Sequence, residues 1–246
     1  MSAFKWCVLA LAGSFVVSGC GSKGGVYQPK PAKGIPVAKV SPGEEASLMP
    51  LVVGNQWVYE MAAQLTAPNG QRETRSGVIV YTVKSVKPNA TGDGKIATIE
   101  VRGENAEKVG DVQVWEINKK GIFQRSISLK NVPFEPMLPA IVFPVETGRT
   151  FTWEGSGVVG QSKVGRSKVK NTILAPQEVD TAEGRLSAIP VETVTTYEQK
   201  ELGSSRSMVF FAPGVGIIRY RQVSASPSGR LEQALVLKRK VVKTST

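Results

Sequence analysis

The chain has 246 residues, enough for one large domain or two small ones. Hydrophobic residues make up 41% of it and the mean hydropathy is near zero, which excludes a disordered chain and a bundle of membrane-spanning helices. The formal charge is +11 and histidine is absent, so Ser-His-Asp catalysis, Cys-His catalysis and histidine-ligated metal sites are all removed.

The chain opens MSAFKWCVLALAGSFVVSGC. Lys5 gives a positive start, and residues 6 to 17 form an uncharged apolar run. Crossing hydrocarbon takes about 20 apolar residues, so this run is too short for an anchor helix and reads as the core of a secretion signal over 1–19. Ser18 and Gly19 then supply the small side chains a signal peptidase needs, and Cys20 follows. Val17-Ser18-Gly19-Cys20 resembles the lipobox of bacterial lipoproteins. That resemblance covers the first two dozen residues. It implies cleavage before Cys20 and acylation of Cys20 with palmitate-type chains. One chain holds a protein weakly at a bilayer; two or three anchor it firmly, at about 0.8 kcal/mol per buried CH₂. Gly21 stands where enteric lipoproteins carry the aspartate that retains them in the inner membrane. By resemblance this implies the periplasmic face of an outer membrane, where the organism has one. Cys7 lies inside the signal, so the mature chain would keep one cysteine and no disulfide.

Residues 20–49 are expected to be a flexible tether. GSKGG is followed by Pro29, Pro31, Pro36 and Pro42 with few large apolar side chains, too little to offset the entropy of ordering. An edge strand over 37–40 is the alternative.

From Pro50 the pattern is β. Residues 57–61, 78–83, 96–101 and 112–117 alternate large apolar side chains with others, and Pro68-Asn69-Gly70, Thr91-Gly92-Asp93-Gly94 and Asn118-Lys119-Lys120-Gly121 carry turn chemistry between them. Three stretches recur in the same order about 90 to 95 residues on. Pro50, Gly54, Trp57, Tyr59 and Glu60 match Pro144, Gly148, Phe151, Trp153 and Glu154; Gly94 to Val101 match Gly184 to Val191; Val114-Trp115 and Gly121-Ile122 match Val209-Phe210 and Gly216-Ile217. The expected fold is therefore all-β and antiparallel, in two tandem pseudo-repeats over 50–130 and 144–246. Each would hold about five to six strands, curled as a half-barrel or packed as a sandwich. Between them, 131–143 reads as a join, because Pro133, Pro136 and Pro139 oppose a regular central strand.

Trp57/Tyr59 and Phe151/Trp153 are each spaced by two, so each pair shares one face of a strand. They are expected to cover the end of a core, with an aromatic platform for a ligand as the sharper alternative. The Gly54-Asn55-Gln56-Trp57-Val58-Tyr59 strand resembles the first strand of many envelope lipoproteins; this likeness implies no site. Gly214-Val215-Gly216 has no helix after it and reads as a hairpin or bulge. The pairs Glu44/Glu45, Glu104/Glu107 and Glu198/Glu201 fall in expected linkers and solvent faces. Neither a catalytic residue, a cofactor nor a metal ligand is assigned. The last strand, 231–242, ends in Lys238-Arg239-Lys240, the one tight basic cluster. No aromatic-interleaved basic stripe exists, so nucleic acid is not an expected partner.

Two functional readings follow. The first is a lipid-anchored, non-enzymatic envelope module that binds another envelope protein or the cell wall. The second is a periplasmic carrier or chaperone for a lipid or other hydrophobic ligand. A continuous apolar concavity above a few hundred Å³ favours the carrier; a filled core favours the module.

Overall fold

The computed structural model describes residues 40–41, 43–128, 130–159 and 163–243. The signal, Val17, Ser18, Gly19 and Cys20 lie outside them, as does most of the expected tether.

Among the described residues thirteen strands follow one another: β1 (Gln56–Thr66), β2 (Arg72–Pro88), β3 (Gly94–Gly103), β4 (Asp111–Asn118), β5 (Gly121–Ile127), β6 (Val132–Val142), β7 (Thr150–Val159), β8 (Lys163–Ile173), β9 (Gln177–Thr181), β10 (Gly184–Tyr197), β11 (Ser204–Ala212), β12 (Gly216–Ser226) and β13 (Gly229–Val241). Two-residue periodicity sets their faces. In β13, Leu231, Leu235 and Leu237 are buried while Arg230, Glu232 and Lys238 face water.

β1 to β8 pair in chain order, β8 pairs with β10, and β10 to β13 continue the sheet until β13 pairs with β1. All these pairings are antiparallel, and they close the sheet into a barrel of twelve strands. β10 is long enough to serve twice. Its start holds the short β9, and its end lies between β8 and β11. The half-barrel and the sandwich expected from sequence are therefore corrected to a closed barrel. A half-barrel or sandwich leaves edge N–H and C=O groups unpaired, whereas here β1 is bonded to β13 along its whole length.

The two sequence halves lie in one sheet, and the expected join over 131–143 is itself β6. Its prolines leave a mark. Pairing with β5 shifts register twice, and pairing with β7 is reduced to Glu135 opposite Ser156. Side chains seal this seam in place of a ladder. Phe134 and Trp153 meet edge to face, ring centres 6.2 Å apart, and Trp153 Nε1 donates to the Pro136 carbonyl at 2.9 Å. Gly155 and Gly157 make room, since a Cβ on Gly157 would run into the Phe134 ring and one on Gly155 would lie 2.5 Å from the Glu135 carbonyl oxygen.

The turns before β1 and β7 are built alike. Gly54 N donates to Val83 O at 2.9 Å and Gly148 N to Ile173 O at 2.8 Å, both glycines at positive φ; Val83 N returns to Asn55 O and Ile173 N to Arg149 O, each at 2.9 Å. Only glycine takes that backbone conformation without strain.

The packed body begins earlier than Pro50. Glu45–Leu48 form one 3₁₀ turn, Leu48, Met49 and Leu51 are buried in the main core, and Gly214 N donates to Ser47 O at 2.9 Å. The end of the expected tether thus caps the barrel, because three large apolar side chains within four residues bury enough surface to order the backbone. Val40 packs against the same core, and 37–39 lie outside the described residues. Leu48→Ala is expected to lower the unfolding free energy by about 2–5 kcal/mol in urea denaturation; a loss below about 0.5 kcal/mol would show that the cap does not pack.

Candidate functional site

Inside the barrel the side chains sort by strand. Trp57 and Tyr59 point inward from β1 and are buried. Trp57 Nε1 donates to Val215 O at 2.6 Å and Tyr59 Oη to Ile217 O at 2.7 Å, tying β1 to β12 and the turn before it. Tyr81 meets Tyr59 edge to face at 5.3 Å. Trp153 belongs to a separate cluster at the seam, with Ile127, Phe134, Val158 and Val169, while Phe151 packs partly buried against the main core. The four aromatics singled out in the sequence do not form one platform.

Two small chambers lie among these side chains. The first, about 30 Å³, is lined by Trp57, Tyr59, Tyr81 and Leu235 among others and is nearly all apolar. The second, about 60 Å³, brings Gln124, Asn171, Thr193 and Ser207 together with Leu138, Pro139 and Ala140 of β6. Trp115, Ile217 and Tyr220 line both and stand between them. Small-molecule sites run to about 300–1,000 Å³, so neither chamber takes a lipid as it stands.

The polar lining is not incidental. Gln233, Gln222, Ser207, Thr193 and Asn171 lie in direct register across β13, β12, β11, β10 and β8, and all but the half-buried Thr193 are buried. Tyr220 Oη donates to Gln222 Oε1. Gln222 Nε2 donates to Ser224 Oγ at 2.9 Å and Ser205 Oγ at 3.1 Å, and Thr193 Oγ1 donates to Asn171 Oδ1 at 2.6 Å. From β4, Trp115 Nε1 donates to Gln113 Oε1 at 3.0 Å. Asn171 Nδ2, Gln124 Nε2 and Gln233 Oε1 are buried with no hydrogen-bond partner. In β13, Gln233 shares the face of Leu231, Leu235 and Leu237, so its inward position follows from the two-residue period. The rest of the row was not legible, because alternate Ser, Thr, Asn and Gln read as the wet face of a sheet.

Among the described residues two carboxylates are buried, Asp111 and Glu116, and they differ. Burial pushes Glu116 up, yet hydrogen bonds from Asn118, Asn89 and the paired Arg125 hold it below the usual range. Burial pushes Asp111 up to about 6, only partly offset by hydrogen bonds from the Val112 backbone, the Gln113 side chain and the Ser128 backbone. Asp111 Oδ2 has no partner. Ser128 holds its donor there from the left-handed region, at φ 82°. Among the described residues no three His, Cys, Asp or Glu side chains gather as a metal site.

No protein-family model matches the sequence, and no curated protein resembles it closely enough to count as a relative. Several solved structures are similar in part. A lipoprotein candidate from Parabacteroides distasonis shares 12% identity over 79% of this chain and 98% of its own, with a TM-score of 0.45. An exported-protein candidate with a YmcC-like fold from Bacteroides fragilis shares 15% identity over 78% and 98%, at 0.42. The hypothetical lipoprotein YmcC from Escherichia coli shares 8% over 83% and 91%, at 0.37. Likenesses this distant transfer neither a site nor a function to the chain.

Because the folded-state pKa of Asp111 lies above its unfolded value, its contribution to stability is full below about pH 4 and is lost as pH rises through about 6. Asp111→Asn is expected to flatten that slope and to raise stability at pH 7.5 by about 1–3 kcal/mol, read by urea denaturation at pH 4.5 and 7.5. A slope unchanged in the variant would assign the pH dependence to another group.

Proposed function

We propose that the chain is a lipid-anchored cell-envelope protein whose barrel acts as a non-enzymatic module, binding another envelope protein or the cell wall. The observation that carries this reading is the order of features before the barrel: Lys5, an apolar run, Ser18-Gly19 and then Cys20. Gly21 supports the periplasmic face of an outer membrane by its resemblance to lipoprotein sorting. The composition after Cys20, GSKGG and then Pro29, Pro31 and Pro36, supports a tether that would give the barrel reach from the headgroups. Absence of histidine supports a non-enzymatic role. Chambers of about 30 and 60 Å³ support a module over a lipid carrier, since an acyl chain needs a continuous cavity several times larger.

The same reading includes a tandem duplication. Removing the appended β9 leaves β1–β6 and β7, β8, β10–β13 as two sets of six. The matched turns at Gly54 and Gly148, and Gly94 and Gly184 at the starts of β3 and β10, support it.

In a bacterium fed labelled palmitate, the wild-type chain is expected to take up label and sediment with membranes. Cys20→Ser is expected to lose the label and to appear uncleaved or soluble. A wild-type chain whose intact mass retains Met1 and carries no acyl group would overturn the anchor.

A further inference from the structure

The second chamber combines features that packing alone does not call for. Gln124 on β5 and Asn171 on β8 both line it, both are almost wholly buried, and each keeps an amide donor with no partner. A buried donor left unmade costs about 1–3 kcal/mol, and leucine or methionine would fill either position without that cost. These two strands flank β6 and β7, whose pairing is reduced to one residue pair. Leu138, Pro139 and Ala140, which line the chamber, belong to β6. The barrel is thus least firmly laddered beside this polar chamber.

We propose that this chamber is a binding site for a small neutral carbonyl compound, an amide or ester group. Size sets the first limit. At about 10–15 Å³ per water, the chamber of about 60 Å³ holds about four to six heavy atoms. Chemistry sets the second. Two amide N–H donors need an acceptor, and no lysine or arginine lines the chamber, so a carboxylate would enter without a counter-charge and lose its hydration. A neutral carbonyl offers these donors an acceptor at far lower desolvation cost. Its alkyl part would meet Val169, Val209 and Phe211. This site does not depend on the lipid anchor, and failure of either leaves the other standing.

The test is a titration of the full-length chain, labelled with ¹⁵N at asparagine and glutamine, with N-methylacetamide, methyl acetate and acetate. The two neutral probes are expected to shift the side-chain amide signals of Gln124 and Asn171 saturably, and acetate at least tenfold more weakly. Gln124→Met and Asn171→Leu, each close in volume to the native residue, are expected to weaken the neutral probes at least tenfold. Should either variant fail to fold, the other and the wild-type titration still decide. Signals that stay fixed to 100 mM of both neutral probes, with exchange contacts to water alone, would make the chamber a hydration site and overturn the proposal. Equal or tighter binding of acetate would overturn the neutral-carbonyl assignment.

Discussion

β1 is bonded to β2, its neighbour in sequence, and to β13, which lies at the far end of the chain. The second pairing turns a long meander into a ring, and the interior exists only because of it. Closing a loop of this length costs about 4–5 kcal/mol in chain entropy. Against that stand Trp57, Tyr59, Leu235 and Leu237, all buried beside the closure. Full burial contributes about 1.5–3 kcal/mol per large apolar side chain, so two or three of them offset the closure. Trp57 and Tyr59 add hydrogen bonds that reach past β13 to Val215 and Ile217.

A closed ring gives every strand an inside, whatever its sequence placed there. Along β1 to β4 the inward residues are mainly large and apolar and build the main core with Leu48 and Leu51. Along β8 to β13 the inward set carries a polar row through Gln222 and Asn171. Gln222 is satisfied by Tyr220, Ser205 and Ser224, which makes it a rigid part of the wall. Asn171 and Gln124 are left with donors unmade. The interior is therefore unequal around its circumference, mainly apolar where β1 to β3 face it, with buried Gln113 on β4 and a polar row across β8 to β13.

The seam at β6 and β7 follows from the same closure. Proline removes ladder donors, so a strand carrying Pro133, Pro136 and Pro139 pairs poorly wherever it is put. Here it sits between the two halves of the chain, where Phe134 and Trp153 supply contact that hydrogen bonds do not. Gly155 and Gly157 complete the arrangement by leaving space for those rings.

Several features were decided by the sequence itself, because they depend on neighbours only a few residues apart. Alternation gave strands, Gly and Pro clusters gave turns, and the spacing of Trp57 with Tyr59 gave a shared face. The expectation of a secretion signal ending at Cys20 rests on the same kind of local order, of charge, apolar run and small residues. The prolines of 131–143 announced poor pairing, though not that the segment would still be a strand. What only the tertiary structure decided depends on partners far apart in the chain. Closure requires β1 to meet β13, and the burial of Gln222 and Asn171 requires knowing which face of each strand the ring turns inward. Leu48 was read as linker because the glycine- and proline-rich stretch before it holds few large apolar side chains, whereas the barrel end it caps is completed by Gly214 and β12, more than a hundred residues away.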